Sequence, residues 1–347
     1  MNRFKKTYIV CWAKKPTGGV ETLHQLCHLL NEYQLTDCFI YYKKNKKLMN
    51  YYRNYNIKST NRIEDNKRNL LIVPESSTYI LNKYKKINKV IWWLSLDYFF
   101  RSKMKYRVDN FINKHYYMKL FKPLLYGYLW LQGEKNIFKF ENGNEIYHFY
   151  NCEYEKMYLI NNGIPTNRLI YLCGPLSDIY FKQNRENIID RKEDIVAYNP
   201  AKGKKNSEKI IEYFKEKKSD IKFIAIQNMT ENQVCELLKN SKVYMDFGYF
   251  PGPERIPRQA VMLYCNIITS MEGAAENDVD VLIPRKYKFK DVEKNFSGIY
   301  KQINDFIFSY DKYVNDFEEY RLKVINQKKV FADNISKFFG QKEKINE

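Results

Sequence analysis

Hydrophobic positions fall into short apolar runs separated by amphipathic stretches, the pattern of strands alternating with helices. Residues 8–12 form the first apolar run, and after the loop KKPTGG the residues Val20, Leu23, Leu26 and Leu30 recur at helical spacing. A strand at 8–12 and a helix over 20–30 are therefore expected. A second strand, 38–42, precedes a polar, lysine-rich excursion that lasts to Asn69. The runs 70–73 and 90–93 are apolar at every position, as parallel strands covered on both faces must be. Strands at 145–150 and 168–172, with a helix over 153–162 between them, close this half.

The second half repeats the alternation. Strands are expected at 195–198, 222–226, 243–247 and 266–269, and helices over 207–214 and 231–238, with another starting near Pro257. That proline suits a first helical turn, where its missing N–H costs nothing. A helical region over 300–339 ends the chain. The stretch 184–194 is charged and poor in apolar residues, so the domain boundary belongs there or just before it. Such alternation predicts an α/β fold with parallel sheets, divided into domains at 1–180 and 181–325 and a helical tail at 326–347. The repetition is architectural, with no sequence repeat.

Composition narrows the class of partner. The 347 residues exceed one ordinary core, and 44% hydrophobic with 16% aromatic content indicates a globular chain. Lys and Arg number 59 against 40 Asp and Glu, a net charge of +19. Anionic partners follow: phosphorylated substrates, anionic lipid or nucleic acid. No zinc-finger spacing, RNP-like aromatic pair or basic heptad region supports the last. The lysine clusters, 43–47 and 202–205 among them, are scattered along the chain as solvated faces. Seven cysteines without a CxxC pair read as reduced core residues of a cytosolic protein. His24 and His28 share a helix face but lack a third ligand, so no metal site is expected. The apolar run at 8–13 is too short for a signal segment and ends in Lys14 and Lys15, and 90–100 falls short of the roughly 20 residues of a membrane span. The segment 101–128 is instead aromatic and basic, the composition either of an interfacial stretch lying on anionic lipid or of a helix packed on its own domain.

Four loops carry candidate chemistry. In PTGGVE, Gly18 and Gly19 let a ligand approach the backbone at a helix start, with Glu21 and His24 in the first turns; a plain turn uses the same glycines. NPAKGKK brings Lys202 and Lys204 to the carboxyl end of the first strand of the second half, where open α/β sheets bind ligands. It lacks the GxxxxGK[ST] pattern, which argues against a kinase or ATPase. Glu75 in PESSTYI and Asp97 in WWLSLDYFF each follow an apolar strand, and each suits a base that activates an acceptor hydroxyl. Equally, Glu75 suits a helix cap and Asp97 an ion pair with Arg101. The richest stretch is DFGYFPGPERIPRQAVM, where Glu254, Arg255 and Arg258 offer a carboxylate and two guanidiniums to a sugar hydroxyl and phosphate oxygens. EGAAEND follows, with Ala274 and Asn277 supplying donors at close range.

Taken together, TGGVETLHQL, IVPESSTYILNKYKKINKVIWWLSLD, YNPAKGK and DFGYFPGPERIPRQA followed by GAAEND resemble bacterial GT-B glycosyltransferases of surface polysaccharide biosynthesis, over most of 8–288. The resemblance implies two Rossmann-like domains facing a cleft, with a nucleotide sugar held by the second and a glycan or lipid-linked acceptor received by the first. It implies no metal and no cofactor. Lys202 and Lys204 resemble the phosphate-facing basic residues, Arg255 and Arg258 those of the PG(D/E)RxPRE-like segment, and Glu21 the acid of the glycine loop. Where the family carries an acid after Arg258, this chain has Gln259. The implied setting is the inner face of the cytoplasmic membrane. A non-catalytic subunit and a nucleotide-sugar 2-epimerase share this architecture.

Overall fold

The computed structural model describes residues 2–11, 17–42, 50–102, 104–131, 138–182 and 184–340. Trp12, Pro16 and the lysine cluster 43–47 lie outside the described residues. The chain divides into two compact units: residues 1–151, 155–174 and 330–347 form the first, and 152–154 with 175–329 the second.

In unit 1 the apolar runs become a seven-stranded sheet, every neighbouring pair parallel. Its strands are β1 (Lys6–Cys11), β2 (Asp37–Tyr42), β3 (Lys58–Thr60), β4 (Asn69–Pro74), β5 (Asn88–Trp93), β6 (Tyr147–Tyr150) and β7 (Leu169–Tyr171). They stand in the order β3-β2-β1-β4-β5-β6-β7. Every residue of β4 is buried, as a central strand with helices on both faces requires. Helix α1 (Gly18–Glu32) begins two residues before the expected 20–30, because the Thr17 hydroxyl caps the Val20 amide at 3.5 Å. Gly18 and Gly19 are accordingly its first helical residues. β3 is the strand that periodicity missed, three mostly exposed residues at the sheet edge.

After β5 come α2 (Leu96–Ser102), α3 (Met104–Lys114), a 3-10 turn at Tyr116–Phe121 and α4 (Lys122–Leu131). Helix α5 (Glu153–Asn161) follows β6.

The chain passes from unit 1 to unit 2 between residues 174 and 175, ahead of the charged stretch 184–194, which contains α6 (Arg185–Ile189). The five-stranded sheet of unit 2 comprises β8 (Glu193–Tyr198), β9 (Lys222–Ala225), β10 (Ser241–Asp246), β11 (Asn266–Ser270) and β12 (Lys288–Phe289), in the order β12-β11-β10-β8-β9, again all parallel. Around it lie α7 (Lys204–Glu216), α8 (Glu231–Asn240), α9 (Arg255–Met262), α10 (Phe296–Phe308) and α11 (Tyr310–Tyr313). Helix α12 (Glu318–Gly340) supplies 318–329 to unit 2 and 330–340 to unit 1. Thr230 and Gln233 close a capping box at the start of α8. Lys192 donates to the carbonyls of Leu238, Ser241 and Leu263 at 2.9, 2.6 and 2.6 Å, stapling the ends of α8 and α9. Burial pulls its ammonium down to about 8.

The seven cysteines are all buried and free. Among the described residues no helix is long and apolar enough to cross a membrane.

Candidate functional site

Sheet order alone brings the unit 2 candidates together. β8, β10 and β11 are neighbours running the same way, so the loops leaving their carboxyl ends share one edge. Gly203, in the first loop, has φ +60°, the left-handed region. A Cβ there would lie 2.2 Å from the Phe247 carbonyl oxygen, and one on Gly248 would lie 2.3 Å from Lys202 Cβ. The two loops therefore touch backbone to backbone. At the third loop Gly273, φ +64°, comes equally close to the Phe250 carbonyl, which accepts from the Ala274 amide at 2.8 Å.

Asp246, at the end of β10, ties the first two loops from beneath. Its fully buried carboxylate accepts from the Tyr244 hydroxyl at 2.8 Å, the Gly248 amide at 3.1 Å and the Asn199 amide group at 3.3 Å. Burial pushes its pKa up to about 6 against these stabilising bonds. Asn199 in turn accepts from the Ala201 amide at 3.0 Å, fixing the turn before Lys202. Asp246 was given no role in the reading of the loops because the strand expected at 243–247 encloses it. The signal was there: an acid closing such a strand directly before Phe-Gly.

On this scaffold Lys202 Nζ donates to Glu254 Oε1 at 2.5 Å, joining residues nominated on separate loops. Glu254 is the N-cap of α9 and makes no side-chain cap bond, while the N-cap of α7 is Gly203, with no side chain to offer. Two helix N-termini, each positive by its dipole, thus open at one edge beside a lysine. Helix α9 starts at Arg255, two residues before Pro257; the proline is its third residue, where an N–H would still have no intrahelical partner.

The remaining candidates are differently placed. Arg255 donates to the Pro175 carbonyl at 3.4 Å. Arg258 is buried, with its guanidinium on Gln327 Oε1 at 2.6 Å and on the Glu254 carbonyl at 3.2 Å. Gln259 is buried on the same helix. Lys204 is exposed in the first turn of α7, 3.5 Å from Glu208. Asn277 serves its own turn: its oxygen accepts from the Val279 and Asp280 amides, and its nitrogen reaches Asp280 at 2.8 Å. Asp280 also accepts from the amides of Glu153 and Tyr154.

In unit 1 the nominated acids leave the carboxyl ends of three adjacent strands, β1, β4 and β5. Glu21 is buried in the first turn of α1. Glu75 is 2% exposed and accepts from the Leu94 amide at 2.9 Å, in a 3-10 turn rather than as a helix cap. Burial pushes its pKa up to about 8, so at neutral pH the carboxyl is protonated and is no base as it stands. Asp97 pairs with Arg101 at 2.8 Å, the ion pair weighed as its alternative role. His24 does not look outward. Its ring bonds the Val20 carbonyl and the Tyr42 hydroxyl and stacks on Tyr52, and burial lowers its pKa to about 4. Among the described residues no group of three His, Cys, Asp or Glu is placed to hold a metal ion.

No protein-family profile matches the sequence, and no curated protein matches it. Solved structures do. A glycosyltransferase from Rickettsia africae is similar over 97% of this chain and 98% of its own, with a TM-score of 0.60 at 12% identity. Anabaena HepE in complex with UDP-glucose is similar over 97% and 100%, at 0.59 and 11%. The lipopolysaccharide outer core galactosyltransferase WaaB is similar over 97% and 99%, at 0.57 and 13%. At such identities the likeness is one of fold: this chain is folded like glycosyltransferases.

Proposed function

We propose that the chain is a GT-B glycosyltransferase that moves a sugar from a nucleotide-sugar donor to a cell-surface glycan acceptor without a metal ion. The observation that carries the proposal is the shared edge of unit 2, where Lys202 and the starts of α7 and α9 meet at the ends of adjacent parallel strands. The fold adds support, since similarly folded HepE was solved with UDP-glucose.

On this reading Lys202, Arg255 and the two helix N-termini neutralise the charge that grows on the leaving diphosphate, the task a cation performs elsewhere. Lys202 exchanges its partner when the donor arrives, and Glu254, relieved of the lysine, accepts a sugar hydroxyl. Arg258, held by Gln327, positions the start of α9. Lys204 and the backbone around Ala274 complete the donor side, with Asn277 shaping its loop. Unit 1 receives the acceptor. There Gly18 and Gly19 shape the start of α1, and Glu21 and Asp97 are the acids suited to a base, with Glu75 a proton donor at neutral pH.

A second reading rests on Gln259. An amide stands where the resemblance puts a carboxylate, which favours a non-catalytic subunit that binds a partner transferase.

Release of nucleoside diphosphate from a panel of nucleotide sugars, with and without a lipid-linked glycan fraction, separates these readings. We expect release that requires the glycan and changes less than about twofold in EDTA, because no cation takes part. Donor turnover without acceptor identifies an epimerase. Donor binding with no release identifies the subunit. Loss in EDTA restored by Mg²⁺ or Mn²⁺ contradicts metal independence.

A further inference from the structure

Among the described residues, the segment after β5 leaves an apolar face without cover. Phe99, Val108 and Ile112 are buried, whereas Tyr117 is 75% exposed, Leu120 90% and Leu124 70%, with Phe121 and Tyr128 also exposed. The spacing makes these residues one stripe. Tyr117 and Leu120 stand three apart in the 3-10 turn, where such residues eclipse. Leu120, Leu124 and Tyr128 then continue at intervals of four into α4, along one side. Exposed leucines and aromatics in a row are costly in water, and contiguous patches of this kind mark interaction surfaces.

Charge selects the partner. Residues 96–131 hold seven Lys and Arg against two Asp. Both acids are engaged, Asp97 by Arg101 at 2.8 Å and Asp109 by Lys122 at 2.7 Å. A second copy of this chain would bring the same excess of positive charge to the same face and be repelled. An anionic bilayer meets both demands, taking leucine and aromatic side chains at its interface and attracting the basic flanks.

We propose that the face carrying Tyr117, Leu120, Phe121, Leu124 and Tyr128 docks unit 1 on an anionic lipid surface by inserting these side chains. Apolar insertion holds the contact and the lysines steer it. The weight thus moves from the lysines, to which composition had pointed, to the leucines: Lys122 is already paired, and Lys103 lies outside the described residues. Docking by this face is independent of the donor site in unit 2 and of nucleotide binding there.

Vesicle flotation of the full chain tests it. With equal parts phosphatidylcholine and phosphatidylglycerol the protein floats; with phosphatidylcholine alone it stays behind. Leu120→Gln with Leu124→Gln lowers the floated fraction about fivefold or more, with an unchanged unfolding midpoint. Lys119→Gln with Lys122→Gln lowers it about twofold, and only at low salt. Flotation untouched by the leucine pair overturns the proposal. So does a dimer seen by light scattering that the leucine pair dissolves, which would make the face a subunit interface. Salt-sensitive RNA binding lost in the same variant, with no flotation of wild type, overturns it equally.

Discussion

Gly203→Ala is expected to lower affinity for a nucleoside diphosphate about tenfold or more, the scale of losing a charge-assisted contact to phosphate, about 1.5–3 kcal/mol. Two effects act at this position. The backbone has φ +60°, which costs an alanine about 1–2 kcal/mol. The added Cβ would also lie 2.2 Å from the Phe247 carbonyl oxygen, and backbone cannot swing aside as the tip of a side chain does. One loop must move off the other, taking Lys202 away from the start of α9. Strain alone should lower the unfolding midpoint by about 4 °C, and the clash adds to that. Gly163→Ala is the control: its φ is +86°, but no atom lies within 4 Å of the new Cβ, and it stands in unit 1. That variant should lose stability and keep its nucleotide affinity. Full affinity in Gly203→Ala would show that the contact between the two loops does not build the donor site.

Glu75→Gln should change the pH dependence of stability in a definite direction. Burial raises this carboxyl from 4.5 to about 8 in the folded chain. Between these values unfolding releases a proton, so the wild-type contribution is intact below about pH 4.5 and falls as pH rises, by about 1.4 kcal/mol per unit. Above pH 8 the loss is complete. Glutamine cannot ionise, and its carbonyl still accepts the Leu94 amide. Wild type and variant should therefore match near pH 5, and the variant should be more stable by a few kcal/mol at pH 8. Denaturant titrations at the two pH values measure this. Parallel pH curves would mean that Glu75 is ionised in the folded chain and available as a base.

The apolar strands were legible because burial on both faces removes polar residues from them, so β4 and β5 can be read directly from the chain. Two of the four edge strands, β3 and β12, were not, although β7 and β9 were. β3 is short and largely exposed, and β12 contains Lys288, whose ammonium is buried against Asp278 and the Asn277 carbonyl. No local pattern announces a buried lysine.

The same limit governs the site. Strand-end loops could be nominated one by one, because glycine, proline and charge gather there. Their pairings depend on sheet order: Lys202 meets Glu254 across two strands, and Arg258 meets Gln327 on a distant helix. The fate of Arg258 follows from that distance. It reads as a phosphate ligand in its own segment, and its guanidinium is held by Gln327 and the Glu254 carbonyl. Glu75 illustrates a different blindness, since a carboxyl in ESST reads equally as a base or a helix cap until burial reveals its raised pKa.

Calorimetric titration with uridine diphosphate, and then with the other nucleoside diphosphates, tests the donor site most directly. Saturable binding of at least one of them is expected. Lys202→Ala and Arg255→Ala should each weaken it about tenfold or more, since a charge-assisted contact contributes about 1.5–3 kcal/mol, while affinity for the bare nucleoside is little changed. Equal losses for nucleoside and diphosphate, or no binding of any diphosphate to the wild type, would contradict it.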